Sequence, residues 1–326
     1  MDQLKWTAQW IMDERFYGLI PKNVYKKQLQ TTKDYEHFEH LNNQHMLVRK
    51  SFHLSKVQNV KLRITADDCY RLYINGEFVG LGPAQSNYFH YFYNSYDITK
   101  FLNLGENVIA VHVYYHGKIC RSYNSGDYRQ GLIAEIFADG DYLFGTDCTW
   151  KYTSAKEYVG GETIGYSTQY LENIDSRLQE KGWREPNFDD SEWSNAWCSI
   201  SDDHILIPQP TPPLEVYETR PQAVHLLEKG HYLVDFGKDI TGHFRMTAQG
   251  KNGGIVEIRC GDELLDNGRV RYELRSNLIY RESWILSGEL DELQFFDWKG
   301  FRYVEVIADS DTEIKSESFA AEVRHY

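Results

Sequence analysis

The catalytic signatures that give many enzymes away are missing from this chain. No GxSxG, HExxH, Walker loop or GxGxxG occurs, and no run of histidines has metal-ligand spacing. That removes the common routes to a nucleophile elbow, a zinc protease, a nucleotide phosphate cradle or a dinucleotide fold. Long apolar runs are also absent: no window approaches the roughly 20 residues that span a bilayer as a helix. The five cysteines, Cys69, Cys120, Cys148, Cys198 and Cys260, are odd in number and scattered without CxxC spacing. This excludes a disulfide framework or a zinc finger and leaves reduced, mostly buried thiols. Positive charge is in deficit, with 35 Lys and Arg against 48 Asp and Glu, a formal net charge of −13. A nucleic-acid or anionic-membrane partner needs a clustered basic surface, so neither is expected. The opening MDQLKWTAQWIMDERF carries charges where a secretory leader needs an apolar centre, which predicts a cytoplasmic protein. Paired amphipathic helices and solenoid repeats are lacking as well.

What is present is β-structure. At 326 residues the chain accommodates two domains, each with its own core. Proline marks the seam. Of 8 prolines, Pro208, Pro210, Pro212, Pro213 and Pro221 crowd into IPQPTPPLEVYETRP, which predicts an extended linker over 207–221 between domains at 1–206 and 222–326. In the first domain, Tyr70 to Val79 alternates around Asn75-Gly76, the signature of a tight hairpin. Asp97-Ile98-Thr99 caps a short turn, and Val108 to Val113 is an unbroken run suited to a strand covered on both faces. Met46–Leu54, Val60–Ile64, Leu132–Ala138, Tyr142–Phe144 and Thr149–Thr153 are further strands, with Asp139-Gly140 as a turn. Tyr158 to Leu178 fits a loop across one face, and Gly182 to Trp197 a capped turn whose indoles plug the sandwich. Beyond the prolines, short strands are expected at His231–Phe236, His243–Gln249, Ile255–Cys260, Val270–Leu274, Ile279–Leu286 and Arg302–Ile307. The fold class is all-β: two antiparallel β-sandwich domains, jelly-roll and galactose-binding-like, joined by a Pro-rich linker.

The order of the "ING" hairpin turn, the aromatic strand, "YDIT" and "GENVIAV" resembles the jelly-roll domains that accompany glycoside hydrolases. SGDYRQGLIAEI at Ser125–Ile136, GWREPNFDDSEW at Gly182–Trp193 and VDFGKDITGHFRM at Val234–Met246 follow in the same order. So do RCGDELLDNGRVRYELRSN at Arg259–Asn277 and WKGFRYVEV at Trp298–Val306. Together these motifs resemble the amino-terminal β-sandwich region of bacterial α-L-rhamnosidases, glycoside hydrolase family 78, over about Trp6 to Tyr326. The resemblance implies that the catalytic acid and base belong to an α/α barrel following the sandwiches. No catalytic residue is therefore carried over onto this chain. Its implied partners are a rhamnosyl glycan and a helical catalytic domain, in cis or in trans.

A glycosidase needs two facing carboxylates, and Asp189-Asp190, Asp202-Asp203 and Asp262-Glu263 are sequence-adjacent candidates of no special character. Sugar binding instead draws on the aromatic content of 15%, because a pyranose needs a flat face to stack on and amide or carboxylate groups for its hydroxyls. The loops Gly82–Tyr93 and Tyr115–Gln130 would carry such a site, with Asn87, Tyr88, Arg121, Asn124, Asp127 and Arg129 as contacts. Asp127 and Arg129 equally suit a structural ion pair. No cofactor is required. Calcium is possible by family resemblance, with Asp67, Asp68, Asn124 and Asp127 as possible oxygen ligands, although capping the hairpin is the alternative role of Asp67 and Asp68. Three readings follow: a sugar-positioning accessory region, a purely structural support, or a glycosidase in its own right.

Overall fold

The computed structural model describes residues 5–24, 37–87, 90–120 and 122–325. The chain forms two compact units, one taking in the chain up to Ala155 together with Glu180–Leu214, the other Lys156–Gln179 and the chain from Glu215. No α-helix occurs among the described residues. The helical elements are single 3-10 turns such as Glu14–Phe16 and Thr99–Phe101. The all-β expectation holds in both units.

Two sheets enclose the core of the first unit. One runs Trp197–Cys198, Ile11–Met12, Gly131–Ala138, Val60–Asp67, Tyr91–Asp97, Leu206–Pro208, with Asp141–Gly145 added beside Gly131–Ala138. The other runs Ser194–Asn195, Lys151–Ser154, Gln44–Leu54, Gly105–Tyr115, Cys69–Ile74, Glu77–Gly82. Period-two alternation sends Val60, Leu62, Ile64 and Ala66 into the core, while Lys61 faces solvent and the Arg63 guanidinium lies 4.6 Å from the Phe137 ring centre. The hairpin turns at Asn75-Gly76, both with positive φ (50° and 84°), as a type I′ turn demands. Asn75 also ties the hairpin to its neighbours, donating to Phe101 O and accepting from Val108 N at 2.9 Å each. Asp97 caps the next turn through Thr99 N at 3.0 Å.

Strand Gly105–Tyr115 is buried from Val108 through Tyr115, as its unbroken apolar run predicts. Ile109, Val111 and Val113 point into the core, where each contributes about 1.5–3 kcal/mol by leaving water. The opposite face of its sheet is overlaid by the segment after Gly182. Buried Arg49 donates to the carbonyls of Glu185 (2.9 Å) and Phe188 (3.0 Å), and the Arg184 guanidinium lies 4.7 Å from the Tyr73 ring centre. Of the indoles expected as plugs, Trp193 is buried and Trp183 half-buried. Trp197 is exposed beside Tyr17.

The second unit is one strongly bent nine-stranded sheet around Trp284, Phe244, Phe295, Phe301 and Phe319. Its spine is a single strand, His231–Gln249, where the sequence pattern predicts two. The pairing register slips between Asp235 and Ile240, with Gly237 at φ 75°, so the strand bends and continues. Val270–Leu274 is not a ladder strand: it makes only isolated bridges, Leu264 with Val270 and Glu273 with Ile279. The expected boundaries also shift. Lys156–Gln179, read with the first domain, belongs to the second unit, because Ile174–Asp175 pairs in parallel with Trp284–Ile285 and Ile164, Leu171 and Ile174 enter that core. The span expected as a linker is partly paired at both ends. Leu206–Pro208 runs parallel to Tyr91–Tyr93, and Glu215–Thr219 pairs with strand Ala320–His325.

Candidate functional site

At one end of the first sandwich the chain passes from one sheet to the other through Asp67 and Asp68. Asp67 is the last residue of Val60–Asp67, opposite Gly131, and Cys69 starts the next strand opposite Tyr114. Two carboxyls are thereby delivered to a corner where Pro83, Ala84, Gln85, Ser86, Tyr91 and Asn124 surround a small depression open to solvent.

Beneath this corner lies a polar network. The Tyr91 hydroxyl sits 2.8 Å from Asp67 Oδ2 and 2.9 Å from Asp127 Oδ2. A phenol has one proton, so satisfying both contacts takes a second proton on one of the carboxyls. Asp67 is its natural place: burial, then the charges of Asp127 and Asp68, drive this carboxyl well above the usual carboxylate range. Asp127 meanwhile faces the Arg129 guanidinium at 2.9 Å. Asp68 accepts the His116 amide at 2.6 Å, and burial raises it to about 6. The depression therefore presents two carboxyls whose burial favours the protonated form, two amides and two hydroxyls. Such a set can both donate to and accept from neutral hydroxyl groups.

The residues expected to contact sugar are scattered. Asn124 lines the depression with Asp67 and Asp68. Asn87 is exposed and bridges to His90 instead of lining it. Tyr88 and Arg121 lie outside the described residues. Asp127 and Arg129 are interior: Arg129 binds Asp127, Asp203, Asn23 Oδ1 and Lys22 O, the structural ion-pair role open from the sequence. Among the described residues no group of three or more His, Cys, Asp or Glu is placed to hold a metal ion. A calcium ion at Asp67 and Asp68 would compete with Tyr91 and with the His116 amide for the same oxygens. The sequence-adjacent acidic pairs are engaged elsewhere: Asp190 with Arg49, Asp202 with His204, Asp203 with Arg129 and Glu263 with Arg271. Sequence reasoning missed Ser86 and Gln85, which give no signal in the pattern, and the role of Tyr91.

Comparison with known proteins agrees with this architecture. Residues 55–218 match the family model of the α-L-rhamnosidase N-terminal domain, and 225–325 that of the bacterial α-L-rhamnosidase concanavalin-like domain. An α-L-rhamnosidase of Formosa agariphila is 29% identical over 244 residues, covering 68% of this chain and 25% of that protein. One of Streptomyces avermitilis is 26% identical over 276 residues, covering 79% and 26%. The solved α-L-rhamnosidase of Dictyoglumus thermophilum superimposes with a TM-score of 0.70 at 27% identity, over 98% of this chain and 36% of its own. That of Aspergillus terreus gives 0.71 at 26%, over 98% and 36%. The chain spans between 25% and 32% of the length of the curated relatives it matches. With both of its units matched in order, the chain belongs to the bacterial α-L-rhamnosidase family and carries that family's N-terminal and concanavalin-like domains.

Proposed function

We propose that the first unit holds hydroxyl groups of a rhamnose-containing glycan at the depression formed by Asp67, Asp68, Ser86, Tyr91 and Asn124, as a non-catalytic accessory part of an α-L-rhamnosidase. The observation that carries this reading is the convergence of carboxyl, amide and hydroxyl groups at one open corner of the sandwich. Family membership supports the glycan class, since the similar proteins are named as rhamnosidases. Sugar hydroxyls are neutral and amphoteric, and a protonated Asp67 beside an ionisable Asp68 suits them better than it suits an ion. The two units would also support a helical catalytic barrel.

The test is calorimetric titration of the chain with L-rhamnose, with and without calcium. Heat that disappears in Asn124→Ala and Asp68→Asn supports binding at this corner. Asp127→Ala is a poor probe, because it empties an interior position held by Arg129 and Tyr91. A second reading, purely structural support, draws on the fact that Asp67, Asp68 and Asp127 all have protein partners. It prevails if wild-type chain gives no heat at millimolar sugar. Release of product from an aryl rhamnoside by the purified chain would make it a glycosidase in its own right.

A further inference from the structure

One outer face of the first sandwich is only partly covered. Odd-numbered positions of Val60–Asp67 point away from the core, and the ladder sets Lys61 between Asp97 and Phe137 and Arg63 between Ser95 and Glu135. Residues near the chain start overlie the middle of this face. Trp6 meets Tyr93 edge-on at 5.3 Å, and Glu135 Oε1 accepts the amides of Thr7 (2.5 Å) and Ala8 (3.1 Å). Away from them the face opens into a groove of about 580 Å³, floored by Lys61, Arg63, Ser95 and Phe137, with the Asp139-Gly140 turn at one end. Arg63 has no carboxylate partner among the described residues, although Asp and Glu outnumber Lys and Arg by 48 to 35 and Arg15, Arg49 and Arg129 of the same unit each hold an aspartate. Its neighbouring acids are committed elsewhere. Glu135, directly across the ladder, is turned to the Thr7 and Ala8 amides; Asp97 is held by Thr99 N at 3.0 Å; Asp139 is held by Asn59 Nδ2 at 2.9 Å and Lys56 Nζ at 3.1 Å. The Phe137 ring, 4.6 Å away, steadies the Arg63 guanidinium in the groove.

We propose that this groove is a second glycan subsite that takes an acidic sugar, the carboxylate of a uronic-acid unit seated on Arg63 with Lys61 beside it. A guanidinium presents a planar fork of N–H donors that matches a carboxylate with two parallel hydrogen bonds, and Arg63 has that fork uncommitted. Around it Ser95, Asn59, Asp97 and Asp139 supply the hydroxyl, amide and carboxylate groups that sugar hydroxyls require. The same two aspartates argue against a densely charged ligand. A polyphosphate, a nucleic acid or an anionic membrane would set further negative charge against Asp97 and Asp139, whereas a uronic acid brings one carboxylate among several neutral hydroxyls. The volume falls in the range of small-molecule sites. Only the class of molecule rests on the glycan reading above; the place is separate. Lys61 and Asp67 lie six positions apart on one extended strand, about 20 Å at ~3.3 Å per residue, so one sugar unit does not reach both the groove and the corner at Asp67 and Asp68.

The experiment titrates the whole chain in a calorimeter with a short oligogalacturonide, with its methyl ester, and with a sulfated neutral oligosaccharide of the same length. The acid should bind, more weakly as salt is raised, and the ester should bind about tenfold or more weakly than the acid. Arg63→Met should weaken binding of the acid by about tenfold or more, Arg63→Lys should recover part of that loss, and Lys61→Met should cost less than Arg63→Met. Far-ultraviolet circular dichroism and the thermal midpoint establish that each variant is folded, and the comparison of acid with ester needs no variant at all. No heat from the acid at millimolar concentration, equal binding of acid and ester, preference for the sulfated sugar, or undiminished binding in folded Arg63→Met overturns the proposal. Titration with L-rhamnose reports on the corner alone, so failure there and failure at the groove are read separately.

Discussion

Arg129 offers the sharpest test of how the corner of the first sandwich is held. All five of its N–H groups are engaged: Nε and Nη2 on Asp203 (2.9 and 2.7 Å), Nη2 also on Asn23 Oδ1 (2.7 Å), and Nη1 on Asp127 Oδ2 (2.9 Å) and Lys22 O (2.6 Å). The two carboxylates are not equivalent partners. Asp203 is about half exposed, with 49% of its side chain accessible, so its pairing is screened and is worth at most about 1 kcal/mol. Asp127 is 3% accessible, and removing its cation leaves a buried charge facing Tyr91 and Asp67, at a cost of about 3–5 kcal/mol. Arg129→Met should therefore destabilise the first unit by about 3–5 kcal/mol, and lower its calorimetric midpoint by on the order of 10 °C. Asp203→Asn should lower stability by less than about 1 kcal/mol. In the double variant Arg129→Met with Asp127→Asn, about half of the loss should return, because no uncompensated charge remains. Denaturant titration followed by tryptophan fluorescence reads all three. If Asp203→Asn matches Arg129→Met, or if Arg129→Met falls below about 1 kcal/mol, the buried pair is not what organises this corner.

Other expectations concern titration and backbone. Asp68 is raised in the fold to about 6, so its contribution is fully present below its unfolded value and lost as pH rises through about 6. Stability of the first unit measured from pH 4 to 7 should fall less steeply in Asp68→Asn than in wild type. In the second unit, burial raises Glu172 to about 8, beside Asp297 and Glu282 and near Lys299. By the same sign its contribution is lost as pH rises through about 8, and Glu172→Gln should flatten the alkaline limb of a stability profile. Gly131 has φ +138°, and a Cβ there would collide with the Ile11 carbonyl and the Trp10 indole nitrogen, so Gly131→Ala should destabilise the first unit by about 3 kcal/mol in denaturant. An unchanged midpoint in that variant would mean the Ile11–Met12 strand yields freely.

Local features of the fold were legible because each rests on residues close together in the chain. Asn75-Gly76 and Asp139-Gly140 provide the positive φ that hairpin turns need, and Asp97 sits two residues before the amide it caps. Alternation in Val60–Asp67 and the unbroken run after Asn107 reported one buried face and two, respectively. What failed was pairing between distant segments. The parallel bridge of Ile174–Asp175 to Trp284–Ile285 and the hydrogen bond from Ser283 N to Asn173 Oδ1 join positions 110 residues apart. Nothing in the composition of Lys156–Gln179 says which core its few apolar residues will enter. The bend of His231–Gln249 was unreadable for a related reason: Gly237 signals a turn and a bulge alike, and only the partner strand Lys299–Ala308 decides that pairing resumes.

The site was half legible, and Tyr91 explains which half. Alternation along the aromatic strand places Tyr91 and Tyr93 on one face, and both are buried. An inward tyrosine is more than core, because its hydroxyl must find a partner once water is gone. The sequence offered Asp67, where Val60–Asp67 ends, and Asp127, in the loop just before Gly131–Ala138, together only as possible oxygen ligands of a calcium ion. The neighbouring strands Val60–Asp67 and Tyr91–Asp97 run antiparallel, so the end of the first lies beside the start of the second, and Gly131 pairs with Asp67 on the other flank. Both carboxyls are thus brought to the Tyr91 hydroxyl by strand direction alone. Following the hydroxyl of each inward tyrosine to the nearest strand end would have joined Asp67 and Asp127 into one network. It would also have separated the buried Asp127–Arg129 scaffold from the open face that Asp68 and Asn124 present.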